Sequence, residues 1–170
     1  AGREEARRAK EKSDEIGHRK YASVAVLFGA LDTWLLGAHA EARRTAIEAD
    51  PAADESGFAS STRPFMLAWL HADLGALDEA RHWAERLVGS ARARGLPLDE
   101  ARGHWVLGEV LRCAGRLDAA ERELDVALTQ VRAISPIDLP AVLASVGHLR
   151  LAQGRPDGRR CGHGGQPAAG

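Results

Sequence analysis

Apolar residues recur along this chain at helical spacing, and glycine interrupts them at nearly constant intervals. Four such stretches, DTWLLG, LHADLG, VLRCAG and LRLAQG, end at Gly37, Gly75, Gly115 and Gly154. These turn glycines are 38, 40 and 39 residues apart. Glycine just past a helix end adopts the left-handed conformation that other residues resist. The spacing therefore predicts a repeat made of a helix, a tight turn and a second helix.

The residues that follow two of the turn glycines predict how the second helix begins. The tetrapeptides LDEA and LDAA occupy residues 77–80 and 117–120. We expect Asp78 and Asp118 to be N-cap residues, because an N-cap carboxylate accepts hydrogen bonds from free helix amides. The leucine before each aspartate would then pack back onto its helix as a hydrophobic staple.

Small residues at fixed offsets from the turn glycines predict where helices cross. They lie seven positions before each glycine and five positions after the first three: Ala30, Ala68, Gly108, Gly147, Ala42, Ala80 and Ala120. Two helix axes approach closely only where the side chains between them are small. We therefore expect each of these positions to pack against a neighbouring helix.

The pattern as a whole predicts an all-α fold. Helices are expected over residues 3–15, 18–36, 38–49, 62–74, 78–93, 99–114, 118–132 and 138–153. The segment 50–61 is the longest internal break between them. Residues 1–157 would form one helical array of about three and a half repeats. Residues 158–170 are rich in glycine and cannot bury a core, so we expect a disordered tail there.

These features resemble the tetratricopeptide-repeat (TPR) family. The best-matching repeat surrounds the turn glycine Gly115 and contains the large-small pair Leu107-Gly108, the acid Asp118 and the second-helix alanines Ala120 and Ala127. The resemblance covers residues 4–157 and implies a right-handed α-α superhelix, a solenoid of antiparallel helix pairs. The long period is similar to that of helical arrays in large bacterial ATP-dependent transcriptional regulators and signalling kinases. It implies a non-catalytic interaction or regulatory module within a larger bacterial protein.

In the TPR family the first helix of each repeat lines a concave groove. The resemblance therefore implies candidate partner-binding residues in this chain. They are Trp34, Phe65, Trp69, Asp73, Arg102, Trp105, Glu109, Arg112 and His148. Exposed aromatic and arginine side chains are frequent anchors of protein interfaces. The implied partner is a protein, a peptide or another domain of the parent chain. A competing interpretation is that the tryptophans fill gaps between stacked repeats.

Two other classes of function compete with protein binding. A small-ligand sensor would place its pocket between helices, lined by Trp34, Trp69 and Trp105. An enzyme is the less favoured reading, because the chain carries no recognisable catalytic or nucleotide-binding motif. Cys161 and His163 are the only Cys/His pair at short spacing, and two ligands fall short of the four that zinc requires. We therefore expect no catalytic residues, no cofactor and no metal.

The amino-acid composition further limits the classes of partner that we expect. The 170 residues are 45% hydrophobic and 28% charged, and only 5% aromatic, so alanine and leucine must fill most of the core. A net charge of −1 argues against a nucleic-acid binder, which is usually strongly basic. The apolar run at 22–36 is shorter than the roughly 20 residues a membrane span needs. No apolar leader precedes it, so we expect a cytoplasmic protein without membrane contacts.

Overall fold

The computed structural model describes residues 2–15, 19–48 and 59–154. Within these ranges the chain forms eight α-helices and no strand, which confirms the all-α prediction. The helices are α1 (Gly2–Glu15), α2 (Arg19–Leu35), α3 (His39–Glu48), α4 (Ala59–Asp73), α5 (Leu77–Ala93), α6 (Pro97–Cys113), α7 (Leu117–Ile134) and α8 (Leu139–Gln153). The largest boundary difference is at α4, which begins at Ala59 rather than at residue 62. The predicted tail at 158–170 lies outside the described residues.

Three of the four turn glycines adopt the left-handed conformation that their spacing predicts. The φ angles of Gly37, Gly75 and Gly115 are 83°, 76° and 73°. Gly154 is different, with φ −85°, because its amide continues the helical pattern and donates to the Arg150 carbonyl. The left-handed prediction is therefore wrong at Gly154. A further left-handed glycine, Gly95, forms the turn between α5 and α6 with φ 64°.

At each left-handed glycine, the residue that follows the glycine both ends one helix and begins the next. At Gly115 the glycine amide donates to the Arg112 carbonyl at 3.0 Å, and the amide of Arg116 donates to the Leu111 carbonyl at 2.9 Å. These two bonds form a Schellman motif, which satisfies the last carbonyls of α6. The Arg116 carbonyl then accepts the Ala120 amide at 2.9 Å and so begins α7. The same three bonds recur at the other left-handed glycines.

This shared turn residue explains why the predicted N-caps are wrong. The N-cap residues of α5 and α7 are Ala76 and Arg116, and neither makes a side-chain capping bond. Asp78 and Asp118 lie inside the first helical turn instead. Their carboxylates still favour the helix N-terminus, because it carries a partial positive charge.

Consecutive helices pack against one another from α1 to α8, and the even-numbered helices also contact each other. Helix α4 lies between α2 and α6, and α6 in turn contacts α8. Among the described residues, α3, α5 and α7 make no comparable contact with each other. One side of the molecule is therefore formed by α2, α4, α6 and α8 together.

Small residues pack at the predicted crossings, with one exception. The five alanines at these positions are fully buried: Ala30, Ala42, Ala68, Ala80 and Ala120. At Gly108 a Cβ would lie 2.6 Å from Leu124 Cγ, so only glycine fits against α7 without rearrangement. At Gly147 a Cβ would meet no atom within 4 Å, and the residue is exposed. The crossing predicted at Gly147 is therefore wrong for the described chain.

Candidate partner-binding groove

A cluster of four half-buried aromatic rings joins α2, α4 and α6. Trp34 of α2 stacks on Trp69 of α4, with ring centroids 6.4 Å apart and 28° between the planes. Trp69 meets Trp105 of α6 edge to face at 5.4 Å. Phe65 lies 5.9 Å from Trp105 and 6.4 Å from Trp69. The rings bury part of their surface against the core and leave part accessible, so they are neither wholly core nor wholly surface.

The helical periodicity explains why these side chains meet. Phe65, Trp69 and Asp73 are four residues apart on α4, and such positions lie on one face of a helix. Trp105 and Glu109 have the same spacing on α6. Because α4 contacts α6, the two faces form a continuous surface.

Hydrogen bonds tie the outer indoles of this surface to the next even-numbered helix. The Trp34 indole N–H donates to Asp73 Oδ2 at 2.5 Å, and the partners are 39 residues apart. The Trp105 indole N–H donates to Ser145 Oγ at 2.8 Å across 40 residues. Each bond therefore spans one repeat period and holds an indole ring in a fixed orientation.

Two further hydrogen bonds join residues 38 and 36 positions apart, and they lie nearer the N-terminal ends of these helices. Ser61 Oγ donates to Asp99 Oδ2 at 2.7 Å, and Arg102 Nε donates to Asp138 Oδ2 at 3.0 Å. Asp138 is the N-cap residue of α8 and also accepts from Ser135 Oγ at 3.0 Å. The carboxylate thus links α6 to the start of α8.

Seven of the nine sequence-predicted residues line one cavity of about 1240 Å³. They are Trp34, Phe65, Trp69, Asp73, Trp105, Glu109 and His148. Helices α2, α4, α6 and α8 all contribute to the walls, so the cavity crosses successive repeats. We call it the groove.

The two remaining predicted residues lie elsewhere. Arg102 lines a second cavity of about 400 Å³, which shares the four aromatic rings with the groove. Arg112 lines neither of these cavities, and its Nη2 donates to Glu109 Oε2 at 2.7 Å. The Glu109 side chain is only 3% exposed, and a buried carboxylate is costly without a partner. Arg112 therefore contributes to the groove by pairing with the buried carboxylate of Glu109, which lines it.

The turn between α2 and α3 supplies groove residues that the sequence prediction missed. Leu35 and Leu36 line the groove although they are 72% and 74% exposed. His39, Glu41 and Arg44 lie beside them. The prediction considered only first helices, but two adjacent leucines directly before a turn glycine were a usable signal.

Helix α4 also carries a buried histidine, His71, which does not line the groove. The His71 side chain is buried, and its Nδ1 has no hydrogen-bond partner. Burial lowers the pKa of His71 below its usual 6.5, and the positive charge of Arg43 lowers it further, while Glu79 opposes the shift. The folded structure therefore favours the neutral form of His71 more than the unfolded chain does.

A second histidine forms a polar network between α5, α6 and α7. His104 Nδ1 is 2.6 Å from Glu123 Oε2, and Arg92 Nη2 is 3.4 Å from His104 Nε2. Arg92 also pairs with Glu100 at 2.8 Å. None of these residues lines the groove, so the network belongs to the packing of the helices.

Within the described ranges, no three His, Cys, Asp or Glu side chains are grouped in a way that could hold a metal ion. Cys161 and His163 lie outside those ranges. The part of the chain that the structure describes also contains no helix long and apolar enough to cross a membrane. Comparisons with protein-family models, with curated proteins and with solved structures gave no match to this chain.

Proposed function

We propose that this chain is a TPR-like solenoid segment, a right-handed superhelix of antiparallel helix pairs, that binds a protein or peptide along its groove. The helix contacts support this architecture. First helices α2, α4, α6 and α8 touch one another, whereas the described second helices α3, α5 and α7 do not. A layer of touching first helices with second helices splayed outside them is the packing that a curved array of helix pairs requires.

The observation that carries the binding role is the half-buried aromatic cluster spread over three repeats. Tryptophan is enriched among residues that dominate binding energy at interfaces. Leu35 and Leu36 extend this apolar surface beyond the rings, and both are mostly exposed. An extended partner segment would bury both parts of the surface at once.

The resemblance to TPR arrays also suggests the context of this activity. We propose a non-catalytic, cytoplasmic module of a larger bacterial signalling or transcription-regulatory protein. Partner binding would be transmitted through the rigid helix array, because each repeat is held by its neighbours.

The test is selection of peptides from a displayed random library, followed by affinity measurements on matched tryptophan variants. Trp69→Leu removes the central ring of the cluster. Trp83→Leu is the control, because Trp83 is also half-buried but lines neither cavity. We expect Trp69→Leu to raise the Kd about tenfold or more, and Trp83→Leu to leave it unchanged. Equal effects from both variants would contradict groove binding.

A small-ligand sensor is the second candidate, and the aromatic lining of the groove favours it. Apolar pockets with a few oriented polar groups are typical of small-molecule sites. A compound that binds the folded state raises its melting temperature. A compound that stabilises the wild type but not Trp69→Leu would favour this candidate, provided that no selected peptide depends on Trp69.

A further inference from the structure

The second cavity, of about 400 Å³, is separate from the groove although both touch the same four aromatic rings. On α4 it reaches Ser61, whereas the groove reaches Asp73, and on α6 it reaches Asp99, whereas the groove reaches Glu109. The rings therefore lie between the two cavities along the helices, and the second cavity lies towards the helix N-termini. It also extends inwards to Leu87 of α5, which is fully buried.

The walls of the second cavity suit an aromatic molecule. Beside the four rings it is lined by Phe28, Leu31 and Met66, so most of its surface is apolar. Aromatic rings attract one another edge to face, and a methionine sulfur also favours contact with a ring. Pockets of about 300–1000 Å³ with such walls typically hold small organic ligands.

The polar groups of the second cavity lie near the N-terminal ends of α4, α6 and α8 and form an interrupted chain. Ser61 Oγ donates to Asp99 Oδ2 at 2.7 Å. Arg102 contacts Asp138 Oδ2 through Nε at 3.0 Å and through Nη2 at 2.9 Å. Between these two pairs, Asp99 Oδ1 and Arg102 Nη1 are 4.0 Å apart, which is too far for a direct hydrogen bond. Among the described residues, no other group forms a hydrogen bond with either atom.

A single hydroxyl group has the donor and the acceptor that this gap requires. Its oxygen, placed between the two atoms, donates its proton to Asp99 Oδ1 and accepts a hydrogen bond from Arg102 Nη1. A ligand carboxylate lacks the proton and is repelled by Asp99. A ligand ammonium lacks the lone pair and is repelled by Arg102. The gap therefore favours an uncharged hydroxyl over either charged group.

We infer that the second cavity binds a small, uncharged aromatic molecule that carries a hydroxyl group. The ring of this ligand lies among Phe65, Trp69 and Trp105, and its hydroxyl bridges Asp99 and Arg102. Both hydrogen bonds involve an ionised protein group, which makes them stronger than bonds between neutral groups. The inference deepens the small-ligand candidate, on which it rests, by giving it a site and a ligand class. It does not depend on peptide binding in the groove.

The first experiment compares four naphthalene probes that differ in their polar group. The 170-residue chain is titrated at neutral pH with naphthol, methylnaphthalene, naphthoate and naphthylmethylamine by isothermal titration calorimetry. Naphthol should bind about tenfold or more tightly than methylnaphthalene, because a methyl group leaves the gap unbridged. It should also bind more tightly than both charged probes. Equal or tighter binding of any other probe, or no binding of naphthol, would overturn the inference.

The second experiment tests the bridging atoms with matched variants. Asp99→Leu keeps a similar side-chain shape but removes the acceptor, so it should raise the Kd of naphthol about tenfold and change that of methylnaphthalene little. Asp118→Leu is the control, because Asp118 also lies in the first turn of its helix but lines neither cavity. It should leave both Kd values unchanged. Equal Kd values of naphthol for the two variants would exclude the bridge.

The third experiment separates the two cavities. Leu31 lines the second cavity and not the groove, and Leu36 lines the groove and not the second cavity. Leu31→Trp should abolish naphthol binding by filling the cavity, and Leu36→Trp should leave it unchanged. The reverse result would place naphthol in the groove and overturn the inference. Should Leu31→Trp not fold, the probe series and Asp99→Leu still decide.

The outcomes also keep this inference distinct from peptide binding. If naphthol binds as expected and no selected peptide depends on Trp69, the groove function alone fails. If Trp69-dependent peptides bind while naphthol does not, the second cavity alone loses its assignment.

Discussion

Helices α6 and α8 share one sequence spacing, with a glycine seven residues before Gly115 and before Gly154, yet their surroundings differ. Helix α6 packs against both α5 and α7 and buries nine residues. Helix α8 packs against α7 and α6 and buries only Val142, Ser145 and Leu149. Within the described residues, the same sequence signal therefore gives a close crossing at Gly108 of α6 and none at Gly147 of α8. The packing of a residue therefore depends on which described helices surround it, and not on its sequence spacing alone.

The largest expected effect contrasts a leucine from each environment. Leu124 of α7 is fully buried against α6, whereas Leu151 of α8 is 59% exposed. We expect Leu124→Ala to lower the free energy of unfolding by about 2–5 kcal/mol, because it leaves a cavity. Leu151→Ala should change it by less than about 0.5 kcal/mol. Urea unfolding of both variants measures the difference, and similar losses would show that the two helices are equally packed.

The second prediction concerns Gly108 and Gly147, where substitution by alanine should change the free energy of unfolding in opposite directions. In Gly108→Ala the new Cβ would lie 2.6 Å from Leu124 Cγ and 3.3 Å from the Ala120 carbonyl oxygen. This overpacking should lower the free energy of unfolding by about 1–3 kcal/mol. Gly147→Ala meets open space within a helix and should raise it by about 0.5–1 kcal/mol. The same urea titration applies, and a destabilised Gly147→Ala would mean that α8 is covered.

The smallest expected effect concerns His71, the buried histidine of α4, which makes the stability of the fold sensitive to acid. The folded-state pKa of His71 is below 6.5, so at lower pH the unfolded chain binds the proton more readily than the folded one. Stability from His71 is therefore complete above about pH 6.5 and is lost as the pH falls below it. Between pH 7.5 and 5.5, His71→Leu should show a smaller drop in melting temperature than the wild type. An equal drop in calorimetric scans would exclude His71 as a source of the pH dependence.

Local sequence signals predicted the helices well because the turns that end them are local. A left-handed residue is required at Gly37, Gly75 and Gly115, and only glycine adopts that conformation without strain. The N-caps failed at Asp78 and Asp118 because one turn residue serves both helices, which a capping pattern alone does not reveal.

The residues of the candidate site differ in how far their positions could be predicted without knowledge of tertiary contacts. Helix periodicity was enough to place Trp69 and Asp73 on one face of α4, and the resemblance to TPR arrays added Trp105 of α6 to the same groove. It could not foresee that Arg112 pairs with Glu109, or that a side chain at Gly147 would meet no described neighbour. Those outcomes depend on the rotamer of a long side chain and on a neighbouring helix, and neither is encoded in the spacing.

The most direct test of the groove follows the four indole N–H resonances of the chain by NMR while a selected peptide is added. The chain has four tryptophans, and Trp34, Trp69 and Trp105 line the groove while Trp83 lies outside it. Binding in the groove predicts that these three indole signals shift together with one Kd and that the Trp83 signal stays in place. A bound peptide that shifts Trp83 and leaves the three groove signals unchanged would contradict the account.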